Sequence, residues 1–158
     1  QLHIRPNVAL SSNKNRDFKS PRDGEFVNLG TTNISFSPSF IAGNSIDFTP
    51  TKNLQVSLLS KYVGSQYLGN IDSETSKLDA YFLNDFNINY TIAKLPFADS
   101  LVLSGLVNNI FDVSYVSNGY FFTYDDDFST PGTITTIEGA GFYPQAGINF
   151  LVGATLTF

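Results

Sequence analysis

Apolar and polar residues alternate with a period of two along most of this chain. In TTNISFSPSFIAGNSIDFT (31–49), the even positions include Ile34, Phe36, Phe40, Ile46 and Phe48, whereas the odd positions are mostly Ser, Asn, Gly, Asp and Thr. Successive side chains of a β-strand point to opposite faces. The segment is therefore predicted to be a long amphipathic strand.

Five further segments show the same alternation with different clarity. It is clear in LQVSLLSKY (54–62), LDAYFLNDFNINYTI (78–92) and INFLVGATLTF (148–158), and weaker in NVALSSNKN (7–15) and LVLSGLVNNIF (101–111). The connectors at 50–53 and 93–100 are short, whereas those at 17–30, 69–77 and 112–146 are long. No helical periodicity is present. The pattern predicts an all-β antiparallel meander of six strands, with short turns at one end and long loops at the other.

Two architectures bury or expose such strands differently. A soluble sandwich packs each apolar face against a second sheet, whereas a membrane barrel turns it to lipid around a polar interior. The polar faces carry Ser, Asn and Thr more than Lys and Glu, and the strands are long enough to span a bilayer. Aromatic residues mark both ends of the strands, as interfacial girdles do: Phe48, Tyr90 and Phe158 at the turns, Tyr62 and Tyr67 at the loops. These features favour an antiparallel transmembrane β-barrel. Pro38, which is unwelcome in a central strand, is expected beyond the membrane.

Composition narrows the function classes. The chain has 158 residues and a net charge of -5, which disfavours nucleic acid as a partner. Only 15% of the residues are charged, against about 25% in soluble domains. The absence of Cys excludes disulfides and thiolate metal sites. The opening QLHIRPNVAL lacks both an initiating Met and a signal-peptide pattern, so we expect a processed or truncated piece.

Four sequence blocks, in this order, suggest a family: SLLSKYVGSQYLGN (57–70), LDAYFLNDFNINYTI (78–92), LVNNIFDVSYVSNGY (106–120) and YPQAGINFLVGATLTF (143–158). With them the chain resembles the C-terminal end of the barrel of a TonB-dependent outer-membrane receptor. NNIFD and YPQAG are more similar to the siderophore type than to the glycan-import type.

The resemblance implies a barrel of about 22 strands around an N-terminal plug, located in the outer membrane of a Gram-negative cell. Residues 1–158 would be its last six strands, with the plug and the TonB-contact segment elsewhere in a longer protein. The implied partners are outer-membrane lipid, the TonB complex, the barrel-assembly machinery, a ferric siderophore or other nutrient, and an accessory surface lipoprotein. The apolar residues of the last strand resemble a barrel-insertion signal: Phe150, Val152, Ala154, Leu156 and Phe158.

The loop 112–147 is the main candidate for ligand binding. Its aromatic residues are able to line a ligand site: Tyr115, Tyr120, Phe121, Phe122, Tyr124 and Phe128. The alternative is that YFFTY continues a strand above the membrane and packs against its neighbours. Asp125, Asp126 and Asp127 have the oxygen ligands that a hard cation prefers, but their spacing is not that of a calcium loop, so solvated charge is the alternative and no metal site is assigned.

The remaining polar residues give weaker indications. Four basic residues lie around the first long loop: Lys14, Arg16, Lys19 and Arg22. They would attract anions such as a siderophore or lipopolysaccharide phosphates. The alternative is that they are scattered, solvated charges. His3, the only histidine, is expected at a turn beside Pro6, and no nucleophile-elbow motif accompanies it. Asn108 and Asn109 are expected to satisfy backbone groups at a strand end. The sequence therefore predicts neither an enzyme nor a bound cofactor.

Three functions stay open at this point. The first is a receptor that imports a ferric siderophore or similar scarce nutrient with energy from TonB. The second is a complete small outer-membrane barrel with an adhesive or lipid-related role. The third is a secreted carbohydrate-binding β-sandwich.

Overall fold

The structure, a computed structural model, describes residues 1–158 as fourteen strands and one 3-10 turn at Glu74–Ser76. In chain order the strands are β1 (Leu2–Leu10), β2 (Lys14–Asn15), β3 (Lys19–Arg22), β4 (Glu25–Asn28), β5 (Thr32–Asn33), β6 (Phe40–Thr51), β7 (Leu54–Val63), β8 (Gln66–Tyr67), β9 (Lys77–Leu78), β10 (Tyr81–Leu95), β11 (Ala98–Asn108), β12 (Val116–Asp126), β13 (Thr135–Pro144) and β14 (Asn149–Thr157).

Six long strands form one antiparallel sheet in the order β1-β6-β7-β10-β11-β14. Each pairs with the next member of this sheet along the chain, so the sheet is the six-stranded meander that the sequence predicts. Tight turns join β6 to β7 and β10 to β11, and the other three connections are long. β1 and β14 each pair on one side only, which leaves the sheet open at both edges.

Two strand boundaries differ from the prediction. The strand expected over 31–49 begins only at Phe40, because Phe36 takes a left-handed backbone with φ of 51° and Pro38 follows it. Pro38 thus lies outside the long strands, as expected. The first strand runs over Leu2–Leu10 instead of 7–15, and the expectation of a turn at His3 was wrong. Pro6 lies inside β1, opposite Asn44 of β6 in register.

The register places residues of one kind in rows across the six strands. One row is entirely apolar: Ile4, Ile46, Leu58, Phe86, Val107 and Phe150. The neighbouring row lies on the opposite face and is polar over its first four strands: His3, Asp47, Ser57, Asn87, Leu106 and Leu151. The sheet therefore has an apolar face and a more polar face, as the alternation predicts.

No second layer covers the apolar face. Only four hydrophobic residues of the whole chain are buried, and on the apolar face Ile88 is 38%, Leu156 45% and Phe150 75% exposed. A sandwich would bury these side chains against a second sheet. The sandwich hypothesis is therefore wrong. Exposure of this face to water is unfavourable, so it needs an apolar surrounding such as lipid.

One polar row interrupts the apolar face near its long-loop end, and the sequence analysis missed it. Asn44, Ser60 and Asn84 lie side by side on β6, β7 and β10. The Ser60 hydroxyl donates a hydrogen bond of 2.6 Å to Asn84 Oδ1, and Asn84 is only 5% exposed. This bond satisfies only part of the row, because Asn44 Oδ1 and Asn84 Nδ2 are buried without a hydrogen-bond partner.

The polar face has its own cross-strand network. The Asp47 carboxylate accepts hydrogen bonds from Ser57 Oγ at 2.6 Å and Ser45 Oγ at 3.0 Å, and it pairs with the Arg5 guanidinium. These groups join β1, β6 and β7 on one face. A buried carboxylate such as Asp47 is tolerated there because several donors surround it.

Candidate ligand-binding site

All three long connections lie at the same end of the sheet. They are loop A (11–39), loop B (64–80) and loop C (109–148), and together we call them the loop cap. Each contains its own paired strands: the short pairs β2 with β5 and β3 with β4 in loop A, the short pair β8 with β9 in loop B, and the longer hairpin β12 with β13 in loop C. The cap is therefore largely structured by its own hydrogen bonds.

Glu138 on β13 connects all three loops. One of its carboxylate oxygens accepts from Arg22 Nη2 of loop A at 2.6 Å, and the other accepts from the Ser73 hydroxyl of loop B. Loop A is also fastened to loop C by Asp23, whose Oδ1 accepts from the Thr136 backbone N–H at 2.8 Å. Since both members of the Arg22–Glu138 pair are less than one-third exposed, the pair is only partly screened by solvent.

We expect Glu138→Ala to loosen loops A and B as well as loop C. Removing the carboxylate leaves Arg22 and Ser73 without their partner, at a cost of about 1–3 kcal/mol to the stability of the cap. Hydrogen exchange should then speed up at residues 19–28 and 71–76. Glu25→Ala is the control, because Glu25 is exposed and makes no side-chain bond. Faster exchange confined to loop C would contradict this connection.

Asn109 organises the base of loop C. Its side chain accepts from the Val113 backbone N–H at 2.9 Å and donates to the backbone carbonyls of Val113 and Ala146. Asp112 Oδ1 accepts from the Ile148 backbone N–H at 2.8 Å. The segments NNIFD and YPQAG thus meet and close the loop. Asn109 satisfies backbone groups as predicted, whereas Asn108 donates to the side chain of Asn149 across the strands.

A groove lies between loop B, the start of β10 and the base of loop C. It consists of two adjoining hollows of about 470 Å³ and 260 Å³, and Tyr115 and Gln145 line both. The larger hollow is also lined by Asp79, Tyr81 and Phe142. The rings of Tyr81 and Tyr115 are 4.7 Å apart between centroids, tilted by 39°. Tyr81 and Asn87 are six residues apart on β10 and therefore lie on the same face of the strand. The groove thus opens on the polar face of the sheet.

The six aromatic candidates of loop C lie in different places: Phe121 packs over Gly69 of loop B, and Phe128 is 75% exposed. Only Tyr115 lines the groove. Tyr120, Phe122 and Tyr124 instead form a row on β12 with centroids 6.2 and 6.3 Å apart, about half exposed. The rings of Tyr120 and Phe122 cover Gly141 and Gly139 on β13, where an added Cβ would lie 2.4 Å from ring atoms. Aromatic rings that cover a glycine on the neighbouring strand stabilise a hairpin. The aromatic residues of YFFTY therefore pack against a neighbouring strand, as the alternative interpretation expected. They do so in the separate β12–β13 hairpin and not in a continuation of β11.

The three consecutive aspartates have different partners. Asp125 accepts from the Thr136 hydroxyl at 2.6 Å and the Gly24 backbone N–H at 2.9 Å. The hydroxyl and backbone N–H of Ser129, and the backbone N–H of Phe128, lower the pKa of Asp126. Asp127 is exposed without a side-chain hydrogen bond. Asp125 and Asp126 are therefore engaged by chain donors, and ligand binding by any of the three remains a prediction. No three His, Asp or Glu side chains are grouped as metal ligands.

The basic residues of loop A do not form one patch. Arg22 pairs with Glu138, and Lys14 Nζ donates to Asn33 Oδ1. Arg16 and Lys19 make no ion pair. His3 lies on β1, far along the strand from the loop cap, beside Asp47 in register. The loop cap as a whole contains five Lys or Arg residues and eleven Asp or Glu residues. Its charge is thus strongly negative.

The sequence matches no protein-family model and no curated protein. Among solved structures, the chain is similar to the ferric-catecholate import receptor Fiu from Escherichia coli K12, in its closed form, with a TM-score of 0.60 and 16% sequence identity. The match covers 99% of this chain and 19% of that receptor. This chain has the fold of an outer-membrane receptor barrel. It spans about a fifth of the length of the structure it matches.

The barrel fold assigns the two faces of the sheet. Apolar rows of a membrane barrel face lipid, and polar rows face the interior. In this segment Phe86 and Ile88 lie on the apolar face, which such a barrel would turn to lipid, whereas Asp47, Asn87 and the groove lie on the polar face, which it would turn to the lumen. Of the predicted insertion-signal residues, Phe150, Val152, Ala154 and Leu156 lie on the apolar face of β14, with Phe150 and Val152 among the most exposed apolar residues, and Phe158 follows the strand. No helix in the structure is long and apolar enough to cross a membrane.

Proposed function

We propose that this chain is the C-terminal part of the barrel domain of a TonB-dependent outer-membrane receptor that binds and imports a ferric siderophore or a similarly scarce nutrient. The observation that carries the proposal is the match of nearly the whole chain to one stretch of an import receptor. The sheet would supply part of the barrel wall, and the loop cap part of the capture surface.

The sequence blocks support the same conclusion independently of the overall fold. NNIFD and YPQAG, which carry the family resemblance, contact each other at the base of loop C. Two segments that are separated in sequence by thirty residues thus serve one structural purpose. A loop whose base is fixed in this way holds its outer residues in position for a ligand.

The remaining parts of the proposal concern the whole receptor. The plug and its contact with the TonB complex lie in other parts of a longer protein, and the barrel-assembly machinery inserts the barrel through the β14 signal. The protein resides in the outer membrane of a Gram-negative cell, and an accessory surface lipoprotein is a further partner. In this proposal the groove and the loop cap bind the ligand, and no residue of the chain is assigned a catalytic role.

Uptake by cells tests this function. Iron-starved cells expressing the intact protein should accumulate radiolabelled iron from a ferric siderophore, and accumulation should cease when the TonB complex is deleted. Surface labelling should modify residues 112–146 and spare Phe48, which lies near the turn at the other end of its strand. Uptake that is unchanged without TonB would contradict energised import.

A further inference from the structure

We propose that the luminal groove binds an organic cation, such as an ammonium group, so that the receptor selects an uncharged or cationic ligand over an anionic one. This inference rests on the proposed function, since it names the ligand class for the same site. Three features of the groove lead to it: its aromatic pair, its unpaired carboxylates and the sign of the charge around it.

The aromatic pair offers a surface for a cation. The rings of Tyr81 and Tyr115 are 4.7 Å apart, and Phe142 lines the same hollow. The faces of aromatic rings carry negative potential, and they attract ammonium and guanidinium groups within about 6 Å. Tyr115 belongs to both hollows, so a bound cation there contacts the ring while the rest of the ligand follows the groove.

Two carboxylates of the groove retain free oxygens. Asp79 is exposed and accepts no hydrogen bond from the chain, and Asp85 uses only Oδ1, for the Asn109 backbone N–H. Lys77 is the only cationic residue of either hollow, and its Nζ lies 3.1 Å from each carboxylate oxygen of Glu74. The hydrogen bonds that Lys77 donates to Glu74 raise the pKa of Lys77, so this lysine stays protonated and its charge is balanced by the Glu74 carboxylate. The net charge that the groove presents is therefore negative.

The surrounding loop cap has the same sign. Its eleven carboxylates exceed its five Lys and Arg residues, and the charge of Arg22 is balanced by Glu138 on β13. A surface with one predominant charge attracts ligands of the opposite charge and repels those of its own. The similar receptor is a ferric-catecholate import receptor, and a ferric complex of three catecholates is an anion. The charge of this chain indicates a different ligand class.

Calorimetry on the intact receptor in detergent micelles at low ionic strength tests the proposal. The probes are a linear ferric trihydroxamate with a free ammonium group, the same compound with that amine acetylated, and a ferric tris-catecholate. We expect the ammonium form to bind about tenfold more tightly than the acetylated form, and the catecholate to bind most weakly. Asp79→Asn and Tyr115→Leu should each reduce the preference for the ammonium form.

Asp127→Asn is the matched control, because it removes the same charge from an exposed carboxylate outside the groove. Asp79→Asn breaks no hydrogen bond, so it separates ligand selection from folding even if Tyr115→Leu lowers the amount of receptor. Tightest binding of the catecholate, a preference that survives both groove variants, or no binding of any probe would overturn the proposal.

The same probes distinguish this proposal from the proposed import function. Import of the ferric catecholate, unaffected by the groove variants, would support import and overturn the cation site. Binding of the metal-free ammonium compound with the preference intact, but without uptake of the ferric form, would support the cation site and overturn ferric-siderophore import.

Discussion

Replacing Ile88 with lysine should destabilise the folded barrel by about 2–4 kcal/mol and reduce its amount in the outer membrane. Ile88 lies near the middle of β10 on the apolar face, between Val56 and Gly105 in register. A cation placed there meets hydrocarbon in the membrane. Urea titration of the receptor in liposomes, followed by heat-modifiable electrophoretic mobility, measures the change.

Gln55→Lys provides the matched control for this prediction. Gln55 lies on β7 next to Val56, but it is on the polar face, is exposed and makes no side-chain hydrogen bond. The same lysine should therefore change stability by no more than about 0.5 kcal/mol. Equal effects of the two lysines would show that both faces meet the same surroundings, which contradicts the assignment of lipid and lumen.

Asn109→Ala should destabilise the receptor by about 2–4 kcal/mol, through two separate losses. Asn109 is 4% exposed and adopts a left-handed backbone with φ of 51°, which alanine tolerates poorly. The substitution also leaves the backbone groups of Val113 and Ala146 without the side-chain partner that closes loop C. The urea midpoint of unfolding and protease cleavage within loop C report the two consequences.

Two further variants separate these contributions. Asn109→Gly tolerates the left-handed backbone but lacks the side chain, so it should fall between the native protein and Asn109→Ala. Asn108→Ala loses only an exposed hydrogen bond to Asn149 and should cost at most about 1 kcal/mol. If Asn109→Gly were as stable as the native protein, the side-chain bonds at the base of loop C would contribute nothing.

The wall of the barrel was predictable from the sequence because it depends on a local property. Which face a side chain takes follows from its parity within the strand, so the alternation in 78–92 was sufficient to assign Phe86 and Asn87 to opposite faces. Strand ends were less predictable. The apolar residues Ile34 and Phe36 continue the alternation, but Phe36 adopts a left-handed backbone and the strand begins after Pro38. At β1, Pro6 suggested a turn, whereas the residue lies inside the strand and pairs with Asn44 of β6.

The groove was less predictable because it depends on contacts between distant segments. Tyr115 was among the candidate residues, but Asp79, Tyr81 and Gln145 were not, since nothing local to them indicates that loops B and C meet there. The sequence blocks that contain NNIFD and YPQAG were the one indication of the groove's position, because they close loop C beside the start of β10. The interpretation of Arg22 as a free cation failed for the same reason: its partner Glu138 is 116 residues away.

Spin-label accessibility along β10 tests most directly the claim that the apolar face meets lipid and the polar face meets water. This chain has no Cys, so single cysteines in it carry the label at defined positions. In the intact receptor in liposomes, we expect high collision rates with oxygen at Phe82, Phe86, Ile88 and Tyr90. High rates with a water-soluble nickel reagent are expected at Leu83, Asp85, Asn87 and Asn89. Two profiles without a period of two, or labels on the apolar face shielded from both reagents, would contradict the account.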